Sequence, residues 1–89
     1  MTAEDDAYRA AEALIAKAKA DGADRLSLDT PETRALTRLP PEIAHLLKLQ
    51  NLDLQNTQIT DLTPLIPLNG LRRLSLSNTP ITDLRPVVP

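Results

Sequence analysis

The sequence predicts a mixed α/β chain in which one N-terminal helix seals about three stacked coils, each carrying a short parallel strand. Three observations predict it. Nine of the 11 alanines lie within residues 1–23, whereas 16 of the 17 leucines follow residue 25. Residues 49–67 aligned with 71–89 at a shift of 22 agree at 11 of 19 positions. Within both copies the leucines alternate, as Leu52-Asp53-Leu54 and Leu74-Ser75-Leu76. A period in this range belongs to units that stack in one dimension, each burying its apolar edge against its neighbours. The 89 residues allow one domain. It divides into a capping helix at 1–22 and repeats at 23–48, 49–70 and an incomplete 71–89.

The helix is read from spacing. Ala3, Ala7, Ala10, Ala11, Leu14, Ile15 and Ala18 recur every three or four residues and make one apolar stripe. Thr2 is placed to cap its start, with Asp5 three positions on and acids at the positive end of the helix dipole. Lys17 and Lys19 sit near the negative end, and Gly22 is free to take the left-handed conformation that stops a helix. A stripe of alanine buries little area, so docking has to stabilise this helix.

The repeat is read from alternation and turn chemistry. Leu52, Leu54, Leu74 and Leu76 point inward from short strands, and Asp53 and Ser75 point outward. Asn56-Thr57 and Asn78-Thr79 then turn the chain. Ile59, Leu62 and Leu65, like Ile81, Leu84 and Val87, step by three along an extended or helical-turn return. Pro64 and Pro86 restrict Thr63 and Arg85 to extended conformations. An earlier, degenerate coil has Leu26-Ser27-Leu28 as its strand, followed by Leu36, Leu39, Ile43, Leu46 and Leu49. From Leu26 to Leu52 is 26 residues, and the excess over 22 is expected to bulge within Asp29–Ala35, a polar stretch containing Pro31.

These residues resemble a leucine-rich-repeat protein. Leu49-x-x-Leu52-x-Leu54-x-x-Thr57-x-Ile59-x-x-Leu62-x-x-Leu65 follows that pattern, and Leu71 onward repeats it. The 22-residue period with Thr60-Asp61-Leu62-Thr63-Pro64-Leu65 is similar to the bacterial internalin-like class. Leu39-Pro40-Pro41-Glu42-Ile43 is more like the 23-residue variety. The resemblance spans roughly residues 23–89. It implies a solenoid whose concave strand face binds protein partners, with the helix as its cap. It also implies the N-terminal part of a larger bacterial receptor or signalling protein. In that family an asparagine at the turn ladders between coils; here the position is Thr57 and Thr79, and the first coil shows no clear equivalent. A hydroxyl makes fewer bonds than an amide. Water or the neighbouring asparagine is therefore expected to supply some partners.

Composition excludes most chemistry. The chain has no cysteine, tryptophan or phenylalanine, one tyrosine and one histidine. Disulfides, thiolate metal sites and cysteine nucleophiles are absent. Gly22 and Gly70 stand 48 residues apart, too far for a phosphate-cradling loop. His45 has no serine or second histidine to pair with and reads as a surface residue. Asp61 and Asp83 occupy equivalent positions before Leu-x-Pro, where turn capping suits them better than a cation needing six oxygens. Residues 1–45 carry a net −3 and residues 46–89 a net +1. Neither half has the clustered cations and aromatics of a nucleic-acid surface. The N-terminus is acidic, unlike a signal peptide, and no apolar run approaches the roughly 18–20 residues of a membrane span. The expectation is a cytoplasmic, non-enzymatic chain with no cofactor, no metal, no nucleic acid and no membrane partner.

The strand face supplies the candidate site. Its outward columns are Asp24/Gln50/Arg72, Arg25/Asn51/Arg73, Ser27/Asp53/Ser75, Asp29/Gln55/Ser77 and Thr30/Asn56/Asn78. The residues assigned to partner binding are Arg25, Asn51, Asp53, Gln55, Arg72, Arg73 and Ser75. Arg72 and Arg73 suit an acidic or carboxylate-presenting protein, with Arg73 reaching toward Asp53; the competing reading is a solvated, salt-bridged sheet face. The second repeat stops at Pro89, three residues short of its period. That leaves Leu74 and Leu76 on an edge strand and raises self-association through the C-terminal coil as the alternative function.

Overall fold

A computed structural model of the chain describes residues 2–81. Helix α1 runs Ala3–Asp21. Strands β1 (Arg25–Ser27), β2 (Asn51–Asp53) and β3 (Arg73–Ser75) form a parallel sheet in the order β1-β2-β3. The register sets Leu26 beside Leu52 and Leu52 beside Leu74. Each strand starts one residue before the leucine pair that marks it in the sequence. The fold is mixed α/β.

The ends of α1 are built as the sequence predicts. Thr2 Oγ1 accepts the Asp5 N–H at 3.1 Å, and the Asp5 carboxylate accepts the Thr2 N–H at 3.5 Å. Gly22 closes the helix at φ 61°, and the N–H groups of Gly22 and Ala23 bond to the carbonyls of Lys19 and Ala18. The buried stripe is narrower than the spacing suggests. Ala7, Ala11, Ile15 and Ala18 are buried, Ala10 and Leu14 are half-buried, and Ala3 is exposed. The helix packs against β1 and the crossover that follows it, a narrow target for a face of small side chains. Its rim is held by Thr37, whose hydroxyl donates to Glu4, and by Arg38, whose guanidinium lies 4.6 Å from the Tyr8 ring centre.

Parallel strands need crossovers. Here they run through short 3₁₀ helices at Pro31–Thr33 and Pro41–His45, then at Thr63–Leu65. Ile59, Leu62 and Leu65 all fall inward and are buried, and of the three only Leu65 lies within the 3₁₀ helix Thr63–Leu65. Each 3₁₀ helix carries a proline in its first two positions, where the missing N–H has no partner to lose. Two expectations are corrected. Thr63 is helical despite preceding Pro64, because Asp61 Oδ1 accepts both its N–H at 2.9 Å and its hydroxyl at 2.5 Å. Asp29–Ala35 does more than bulge outward, since Pro31 and Glu32 are exposed but the 3₁₀ turn Pro31–Thr33 directs Thr33 into the core, where it is fully buried.

Leucine and isoleucine fill the space between sheet and crossovers. Leu28, Leu52 and Leu54 are at most 2% exposed, whereas Leu74 and Leu76 on and beside β3 are only half-buried. Asp83, Leu84, Arg85 and Pro86, and with them the return segment of the third expected coil, lie outside the described residues. Among the described residues no helix is long and apolar enough to cross a membrane.

Candidate strand-face site

The site is positioned by strand alternation. Because Leu26, Leu52 and Leu74 point into the core, the residues flanking each of them point out on the other face. Pairing sets these into two transverse rows, Arg25–Asn51–Arg73 and Ser27–Asp53–Ser75. Together they line an open groove of about 310 Å³. Five of the seven residues singled out in the sequence therefore meet in one place. Gln55 and Arg72 lie outside the groove lining.

The cation pair differs from the one expected. Arg72 and Arg73 are neighbours in sequence, but the two arginines that share the groove are Arg25 and Arg73, with the half-buried Asn51 between them. Nor do Arg73 and Asp53 pair. Asp53 Oδ1 instead accepts the Gln55 N–H at 3.0 Å, a local turn bond that holds the carboxylate over its own strand end. Arg25 approaches Asp24 at 3.7 Å, with both side chains largely exposed, so the pair is weak.

Beyond the strands lies a ladder built by the asparagines next to the turn threonines, the neighbours expected to supply some of its partners. Asn56 Nδ2 donates to Asp29 Oδ1 at 3.0 Å, and Asn78 Nδ2 donates to Asn56 Oδ1 at 2.9 Å. Asp29, an acceptor at its start, fixes the polarity: Asn56 must offer its amino group to Asp29 and its carbonyl to Asn78. Both asparagines sit at positive φ, 62° and 60°, which their short side chains tolerate. Asp29 thus bonds to Asn56, one residue beyond Gln55 in the continuation of the strand register. The adjacent threonines bond within their own turns. Thr57 donates to the Leu54 carbonyl at 2.8 Å and Thr79 to that of Leu76 at 2.7 Å. The first turn does have an equivalent, Thr33, which donates to the buried Leu28 carbonyl. Its signal was concealed by spacing, five residues after Leu28 instead of three.

His45 is exposed at the end of its 3₁₀ helix, beside a smaller cleft of about 200 Å³ shared with Lys19, Leu47 and Lys48. Lys48 Nζ lies 3.9 Å from where a side chain on Gly22 would begin, a favourable place for a cation at the end of α1. Asp61 serves as a turn cap through Thr63. Compared with protein-family models, with curated proteins and with solved structures, the chain finds no match in any of the three.

Proposed function

We propose that the chain is a leucine-rich-repeat solenoid of about three coils, sealed by α1, that recognises a protein partner non-covalently through its strand face. The observation that carries this reading is the groove itself. Three strands in register present two rows of polar and charged side chains whose hydrogen-bonding capacity the fold leaves largely unused. The 22-residue step from Leu52 to Leu74 across the β2–β3 pair supports the solenoid, as do the Asp29–Asn56–Asn78 ladder and the repeated Thr57 and Thr79 turns. Polar side chains on rigid strands favour recognition without remodelling of the binder.

The test is selection of binders from a displayed random-peptide library on the purified chain, followed by amide NMR mapping. Shifts centred on Arg25–Ser27, Asn51–Asp53 and Arg73–Ser75 are expected. Binders that map to α1 or to the 3₁₀ side, or a selection that yields none, overturn the reading. A second reading, self-association along β3, is favoured by the half-burial of Leu74 and Leu76 beside their buried counterparts Leu52 and Leu54. Light scattering over a hundredfold range of concentration separates the two, because a constant monomer mass excludes self-association.

A further inference from the structure

We infer that the row Arg25–Asn51–Arg73 reads two carboxylates set three residues apart in an acidic peptide of polyproline II conformation. This rests on the strand-face reading and names its partner. Arg25 and Arg73 each stand beside Asn51 in the register, so their backbones are two strand spacings apart, about 9.6 Å. Both side chains are exposed. Among the described residues Arg73 has no ion pair, and Arg25 has the loose contact to Asp24 alone. The acid in the groove, Asp53, is bound to the Gln55 N–H. The groove therefore holds two guanidinium groups ready to take carboxylates in their planar two-pronged geometry.

The spacing selects the ligand. A polyproline II helix has three residues per turn and rises about 3.1 Å per residue, so side chains at i and i+3 share a face about 9.3 Å apart. That matches the arginine row. A β-strand ligand puts same-face side chains about 6.6 Å or about 13 Å apart, which fits neither. Asn51, midway, offers one donor and one acceptor to the peptide backbone between the two acids. Ser27 and Ser75 flank Asp53 in the second row, where the Asp53 carboxylate repels an acid and favours a donor. The groove has no aromatic anchor, since the chain's one aromatic residue, Tyr8, lies on α1. Recognition is thus electrostatic and weakens with salt.

The experiment titrates the whole chain into a fluorescein-labelled peptide containing Glu-Pro-Pro-Glu, read by anisotropy, with NMR mapping of the site. Arg25→Ala and Arg73→Ala are each expected to weaken binding about tenfold, the loss of one charge-assisted two-pronged contact. Arg72→Ala is expected to change it less than about twofold, as for a rim charge. Asp53→Asn, whose amide oxygen keeps the Gln55 bond, is expected to tighten it. Shortening the spacing to Glu-Pro-Glu is expected to cost as much as losing one arginine. Equal affinity for Gln-Pro-Pro-Gln, with shifts still on the strand face, overturns the inference and leaves the recognition reading standing. So does equal loss from Arg72→Ala and Arg73→Ala. Absence of binding at low salt overturns the inference too, and the library selection then decides the broader reading separately.

Discussion

The turns that follow β1 and β2 solve one problem with different sequences. Each must supply a hydrogen-bond donor to a leucine carbonyl that the core has cut off from water, Leu28 in one and Leu54 in the other. After β2 the chain does it in three residues: Asn56 swings into the left-handed region and Thr57, fully buried, donates its hydroxyl. After β1 it takes five. No residue there has positive φ; a proline-started 3₁₀ helix carries the chain round, and Thr33 arrives at the same bond, also fully buried. What the fold requires is the donor at the carbonyl. The spacing is free to vary so long as something else fixes the backbone.

The largest effect that tests this comparison is removal of the donor from each turn. Threonine to valine keeps shape and removes the hydroxyl, leaving a buried carbonyl unpaired at a cost of about 1–3 kcal/mol. Thr57→Val is expected near the lower end. Thr33→Val is expected near the upper end, because Thr33 Oγ1 also accepts the Thr30 N–H at 3.2 Å and meets the Thr30 hydroxyl at 3.0 Å. Urea denaturation with an unchanged slope is the measurement. Losses below about 0.5 kcal/mol at both sites, less than one ordinary hydrogen bond, sink the argument.

A smaller effect separates backbone strain from the ladder. Asn56→Gly keeps the left-handed turn at little cost but removes both amide bonds, and about 1–2 kcal/mol is expected. Asn56→Ala loses the same bonds and adds about 1 kcal/mol of left-handed strain. The β1 turn has no such strain, so Asp29→Ala loses one ladder bond alone, about 0.5–1.5 kcal/mol. If glycine and alanine at position 56 prove equal, the turn is not held at positive φ in solution.

These differences also mark what was legible in the sequence. Period and alternation pointed to α1, the leucine register and the two rows of the groove, because each is a regularity of the backbone that repeats in the residues. Thr33 was hidden because the five-residue route to Leu28 breaks the repeat; no pattern shows that two unlike turns end on the same bond. That Asn56 and not Thr57 carries the ladder has a related reason. Which of two adjacent polar residues faces inward depends on the sign of φ at the first, which spacing does not specify. The Arg25–Arg73 pair stands in the column Arg25/Asn51/Arg73 that strand alternation already gives, yet adjacency in sequence makes Arg72–Arg73 the more conspicuous couple. Charge pairing misled similarly: Asp53 was expected to meet Arg73, but a backbone N–H two residues away is an entropically cheaper partner than a long side chain on the next strand.

The smallest expected effect bears on how the longer turn is fixed. With two more residues than its counterpart and no left-handed asparagine, the β1 turn has more unfolded freedom to lose. Pro31 removes part of it in advance, because its ring sets φ near the value that the first 3₁₀ position needs. Pro31 is exposed, so replacing it removes little packing. Pro31→Ala is therefore expected to cost about 0.4–1 kcal/mol through the unfolded chain. For a domain of this size that lowers the melting temperature by about 2–8 °C. Native amide shifts are expected to stay unchanged beyond the immediate neighbours. A loss accompanied by shifts at Leu28 or Thr33 would instead mean that the ring holds the folded turn in place, and the two turns would then differ in how they are packed as well as in how they are counted.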